Sequence, residues 1–217
     1  VGVIDLRPLV LNGELRAYTM ASVGTVTTER LPAQVLQGKQ FFYDARDPRL
    51  ARDSYMSCAS CHSDGGHDGR TWDMTGFGEG LRNTISLKGR VGMGHGLLHW
   101  SGNFDEVQDF EGQIRKLAGG TGLMSEAQFN AGTRSLPLGD KKAGLSAELD
   151  ALAAYVGSLT TVAPSPFRPD AGGLSPAAAL GKTVFQAANC ASCHAGAAFT
   201  VSALGGGART VGTLVPS

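Results

Sequence analysis

The chain has 217 residues, 42% apolar and 18% charged, and its 19 basic and 19 acidic side chains cancel. This is a globular composition, long enough for one core or two small ones. The neutral balance gives no footing for nucleic acid or a basic membrane surface, and no apolar run nears the ~18 residues of a membrane span.

Residues 1–31 read as an N-terminal extension. Asn12-Gly13, between Pro8–Leu11 and Glu14–Tyr18, suggests a β hairpin. Pro32 to Tyr43 reads as a helix with proline at its first position, and Gly38-Lys39-Gln40-Phe41-Phe42 lies near its end. The pentapeptide Cys58-Ala59-Ser60-Cys61-His62 follows. The glycine-rich stretches Gly76–Gly80 and Gly92-Met93-Gly94-His95-Gly96 follow no convincing strand and open no βαβ unit, so they are not nucleotide loops. Glycine there lets backbone pass close to a flat group. Asp105 to Leu117 places Val107, Phe110, Ile114 and Leu117 on one helical stripe. Ser125 with Gln128 forms a capping box, and Ser146 caps a helix with Leu149, Leu152, Ala153 and Val156 on its apolar face. Pro164, Pro166 and Pro169 mark a linker over 163–175. Ser175-Pro176 starts a further helix carrying Gly181-Lys182-Thr183-Val184-Phe185, and Cys190-Ala191-Ser192-Cys193-His194 repeats the earlier pentapeptide.

The two pentapeptides use all 4 cysteines. Cys-x-x-Cys-His is the attachment signature of c-type haem. On a helical turn, residues i, i+3 and i+4 share a face. Two thiols there reach the two vinyl groups of one porphyrin, and the next histidine meets the iron. A zinc site wants its cysteine pairs closer than the 128 residues found here between Cys61 and Cys190. A thioredoxin-like pair wants a βαβ setting, and plain disulfides leave the two histidines unexplained. The reading is two covalent haems c, bound through Cys58, Cys61, Cys190 and Cys193, with His62 and His194 as proximal ligands. Covalent haem is attached outside the cytoplasm, so a periplasmic or extracellular location is expected.

The fold class expected is mostly α. A short β-containing extension (1–31) precedes a first cytochrome c-like haem domain (32–162), the linker (163–175), and the start of a second, truncated haem domain (176–217). The chain begins at Val1 without a visible leader and stops at Ser217 in a Gly-rich stretch, which reads as part of a larger parent protein. The sixth position on each iron decides between electron transfer and peroxide chemistry. Candidate distal ligands are His67, His95, His99, Met93 and Met124, and after His194 there is neither His nor Met.

Residues 36–217 resemble the bacterial dihaem cytochrome c peroxidases and their MauG-like relatives. The resemblance is carried by Gly38-Lys39 through Phe42-Tyr43-Asp44, both pentapeptides, Arg82-Asn83-Thr84-Ile85-Ser86-Leu87, and His99-Trp100-Ser101-Gly102-Asn103. Gly196, Phe199-Thr200 and Val211-Gly212-Thr213 fit as well. The resemblance implies two facing α-helical haem domains, one haem reacting with hydrogen peroxide and the other feeding it electrons. Trp100 matches the residue that couples the haems. Asn83 matches a ligand of a calcium ion held between the domains. A redox partner protein or small electron donor is implied, and an oligomer or a larger parent protein is compatible. The family's peroxidatic Glu stands just before a Met; here Gly122-Leu123-Met124 puts Leu there. Its active-site Gln falls nearest Phe110, and its resting distal His falls near Thr75. Cleaving an O–O bond needs a placed acid/base group, for which Glu79, Glu111 and His99 are the candidates. The alternative is a relay module that moves electrons without turnover of its own.

Overall fold

The computed structural model describes residues 1–77, 79–89, 96–169 and 172–200. The chain divides into two units between Pro32 and Ala33. In the first unit, β1 (Gly2–Asp5) pairs antiparallel with β2 (Tyr18–Ser22), and α1 (Arg7–Asn12) connects them. This strand pair is not the expected hairpin: Pro8–Leu11 lies in α1, residues 14–17 form no strand, and Asn12-Gly13 turns nothing. Gly13 takes φ +67° and its amide donates to the Leu9 carbonyl at 3.1 Å, which ends α1. A left-handed residue serves a two-residue hairpin turn and a helix C-terminus equally well. Pro8, in the first turn of α1, favours the helix.

The second unit is built around α2 (Ala33–Tyr43) and α6 (Ala147–Ser158), which pack together. Their approach depends on Gly38: a Cβ there would lie 1.8 Å from the Ala151 carbonyl oxygen. The core they share holds Phe42, Leu50, Val107, Ile114, Leu123, Met124, Phe129, Leu149, Leu152, Tyr155 and Val156. Between α2 and α6 come α3 (Cys58–Cys61), the antiparallel pair β3 (Thr71–Met74) and β4 (Gly80–Asn83), a 3₁₀ turn at Val107–Phe110, α4 (Glu111–Lys116) and α5 (Glu126–Phe129). Both predicted caps form. Ser125 Oγ accepts from the Gln128 amide at 3.3 Å, and Ser146 Oγ accepts from the Leu149 amide at 3.2 Å.

The stripe expected over Asp105–Leu117 holds only in part. Val107 and Ile114 are buried, but Leu117 is exposed. The segment starts as a 3₁₀ turn, which advances about 120° per residue instead of about 100°. The apolar phase therefore slips before α4 is complete. No helix or strand is assigned over the described residues from Leu159 to Ser175, where the proline linker was expected. Next, α7 (Pro176–Ala187) is capped by Ser175 Oγ, which accepts from the Ala178 amide at 3.2 Å, and a 3₁₀ turn at Cys190–Ser192 carries the second pentapeptide. The mostly helical expectation is met, with two short antiparallel strand pairs beside the helices. Among the described residues no helix is long and apolar enough to cross a membrane.

Candidate functional site

At the first pentapeptide the chain folds into one helical turn. Ser60 Oγ accepts from the Ser57 amide at 3.0 Å, and the His62 amide reaches the Cys58 carbonyl at 2.9 Å. Cys58 and Ala59 pack against the core, which fixes α3 from below. Burial pushes the Cys58 thiol up to about 11 and the Cys61 thiol upward as well. Free thiols here are thus held as neutral SH groups at neutral pH. His62 Nδ1 faces the Gly66 carbonyl at 3.4 Å. A carbonyl only accepts, so this contact suits a proton on Nδ1, the tautomer that leaves the Nε2 lone pair for a metal. Burial draws the His62 pKa down, against the opposing pull of the Gly66 and Ile85 carbonyls.

The second pentapeptide repeats this geometry. The His194 amide donates to the Cys190 carbonyl at 2.9 Å, and His194 Nδ1 faces the Phe199 carbonyl at 3.2 Å. Nε2 of His194 is again the free nitrogen. Asn189 enters the turn in the left-handed region, φ +57°, and Phe185 of α7 lies with its ring centroid 6.4 Å from His194. Both sites therefore combine two thiols on one turn with an imidazole whose far nitrogen is available. That donor set suits a c-type haem at each.

Near the first site the structure assembles a group that the sequence shows only in pieces. His99 stacks on Phe104 with centroids 4.4 Å apart and meets the edge of Phe110 at 5.0 Å. Its Nδ1 lies 2.9 Å from Asn103 Oδ1. Asn103 Nδ2 donates to Glu79 Oε1 at 3.3 Å, Ser101 Oγ donates to the same oxygen at 2.5 Å, and Arg82 Nε lies 3.4 Å from Glu79 Oε2. A carboxylate only accepts, so the Asn103 NH₂ faces it and Asn103 Oδ1 faces His99. His99 Nδ1 is therefore the protonated nitrogen, and Nε2 is bare. Burial lowers the His99 pKa, and His99 in turn disfavours charge on His62, which places the two imidazoles within electrostatic reach of each other. His99 holds this pose at φ +66°, a left-handed backbone that a histidine adopts only at a cost. Glu79 and Asn103 were hidden as partners because they converge from the residue just before β4 and from a distant loop. The one sequence sign is Asn103, four residues after His99.

The other expected residues are placed as follows. Met124 and Leu123 are buried in the core, where Glu111, fully buried, accepts from their amides at 3.1 and 2.9 Å. Arg115 Nε also donates to Glu111 at 2.8 Å. Glu111 is thus occupied in holding this loop. His67 is exposed, its Nδ1 accepting from the Gly69 amide at 3.2 Å. Trp100 is 56% exposed, and its indole donates to the Asn83 carbonyl at 2.8 Å. The Asn83 carboxamide donates to Thr71 Oγ1 at 3.0 Å across the β3–β4 pair. Among the described residues no group of three His, Cys, Asp or Glu side chains could hold a metal ion. His95, Met93 and Val211-Gly212-Thr213 lie outside the described residues.

A family model described as di-haem cytochrome c peroxidase matches residues 32–170. No curated protein matches the chain. Among solved structures, hydrazine synthase of Kuenenia stuttgartiensis, pressurised with 20 bar xenon, is 21% identical with a TM-score of 0.51. That match covers 85% of this chain and 64% of the other. The diheme peroxidase BthA from Burkholderia thailandensis E264 is 19% identical with a TM-score of 0.46, over 82% of this chain and 53% of that one. This chain thus spans less than two thirds of either structure.

Proposed function

Because the chain belongs to the di-haem cytochrome c peroxidase family, we propose that it binds two covalent haems c and passes electrons between them to a peroxide at the first. Bound haem supplies the one-electron chemistry at iron. The chain's residues do the rest. Cys58, Cys61 and His62 hold the first group; Cys190, Cys193 and His194 hold the second. Trp100, steadied by its bond to the Asn83 carbonyl, is the residue that couples them. His99 takes the role left by Leu123. The observation that carries this reading is the His99–Asn103–Glu79 chain, which leaves a neutral imidazole with Nε2 unprotonated. From that nitrogen a proton can be taken from peroxide and returned to its far oxygen. A redox partner protein or small reductant supplies electrons, in the periplasm or outside the cell, where covalent haem is attached.

The test is stopped-flow absorbance of the half-reduced protein mixed with hydrogen peroxide. We expect a fast change in the haem spectrum and turnover of a reduced donor. His99→Phe, which keeps the ring packing, is expected to lower turnover by about 10²–10⁴-fold, as loss of a general acid/base does. Trp100→Phe is expected to slow transfer between the haems while leaving each haem's resting spectrum unchanged. The relay reading draws support from one observation: Glu111, beside Leu123, is spent on structure. An unchanged six-coordinate spectrum with only slow bleaching would select it.

A further inference from the structure

One layer of side chains away from His99, a cavity of about 280 Å³ is bounded by the same Asn103 and Phe104 that hold the imidazole. Neither pentapeptide lines it. Its lining has three features that define a ligand. First, the lining itself carries three basic side chains and one acidic one, with Asp140 outside it acting on Arg134 and Lys142. Lys142 and Asp109, both lining it, neutralise each other in a buried ion pair. Arg134 and Lys116, also lining it, have no carboxylate ion-pair partner among the described residues. Arg134 is held in place by giving Nε to the Lys141 carbonyl at 3.3 Å and Nη1 to the Gln128 carbonyl at 3.2 Å. Second, Gln113 lines the space, and its Oε1 is buried with no hydrogen-bond partner among the described residues. A buried acceptor left unpaired is costly. Third, Phe77 and Leu136 give the space an apolar wall.

The space is also kept open from the α4 side. Gly112 faces it, and a Cβ there would meet nothing within 4 Å. Glycine is the least helix-favouring residue apart from proline, yet it sits inside the six-residue α4. From this lining we propose that the cavity binds a small organic carboxylate that carries an apolar body and one hydroxyl or amine. The carboxylate meets Arg134 and Lys116, and the hydroxyl or amine hydrogen meets Gln113 Oε1.

The test is titration calorimetry on the holo-protein with 4-hydroxybenzoate as probe, and benzoate and phenol as comparisons. Binding is read as heat, so it is independent of peroxide turnover. We expect one saturable site for 4-hydroxybenzoate, with benzoate and phenol each about tenfold weaker, the worth of one net hydrogen bond or one charge contact. Gly112→Leu, which fills the space, is expected to abolish binding. Gly112→Ala, whose Cβ fits, is expected to keep it and so controls for folding of α4. Gln113→Leu is expected to erase the difference between 4-hydroxybenzoate and benzoate while leaving both bound. The proposal is overturned by the absence of saturable binding, by binding that survives Gly112→Leu, or by equal affinity for all three probes.

Discussion

Glu111 shows what one buried carboxylate can hold. It receives the Leu123 and Met124 amides and the Arg115 guanidinium, and Arg115 passes a second hydrogen bond to the Met124 carbonyl at 2.7 Å. Removing one partner of such a buried pair leaves the other uncompensated, at a cost of about 3–5 kcal/mol. Glu111→Ala is expected to lose stability of that order in denaturant unfolding, with Glu111→Gln intermediate because it keeps one acceptor oxygen. At this scale the two pentapeptides stood out in the sequence, since residue type and spacing alone define the Cys-x-x-Cys-His pattern. The His99–Asn103–Glu79 chain was not, because hydrogen bonding between distant segments leaves no periodic trace. The role of Glu111 was hidden for the same reason.

Two helices carry the same Gly-Lys pair and answer differently to the same substitution. In α2, a Cβ on Gly38 would run into the Ala151 carbonyl of α6; in α7, a Cβ on Gly181 would meet nothing within 4 Å. Gly38→Ala is expected to destabilise by about 1–3 kcal/mol or more, the cost of overpacking against backbone. Gly181→Ala is expected to be neutral or to gain up to about 1 kcal/mol from helix propensity. Thermal unfolding of the two variants side by side decides it. Ser146 does double work at the head of α6, accepting from the Leu149 amide and donating to the Leu123 carbonyl at 2.8 Å. Helix starts were the most legible elements, because Ser125, Ser146 and Ser175 each declare a cap. Ends and phases were less so. Gly13 fits two kinds of turn, and the 3₁₀ start before α4 turned Leu117 outward.

Across the second unit, Arg49 joins the loop after α2 to the first turn of α6, bonding Asp47 at 2.7 Å and Glu148 at 2.7 Å. The hydrogen bonds from the Arg49 side chain hold the Asp47 pKa below its usual value. For a carboxylate shifted down, the stabilisation is present above the unfolded value near about 4 and is lost as pH falls through the folded one. Melting temperature measured from neutral pH downward is expected to drop below about pH 4, and Asp47→Asn is expected to flatten that drop while lowering the neutral plateau. The left-handed backbone at His99 works against the stability of the whole unit. Glycine would sit there without strain. His99→Gly relieves that strain but removes the ring from Phe104 and Phe110 and leaves Asn103 Oδ1 unpaired, so its melting temperature is expected to fall. Packing and the proposed chemistry thus hold the same imidazole in place against the strain of its own backbone.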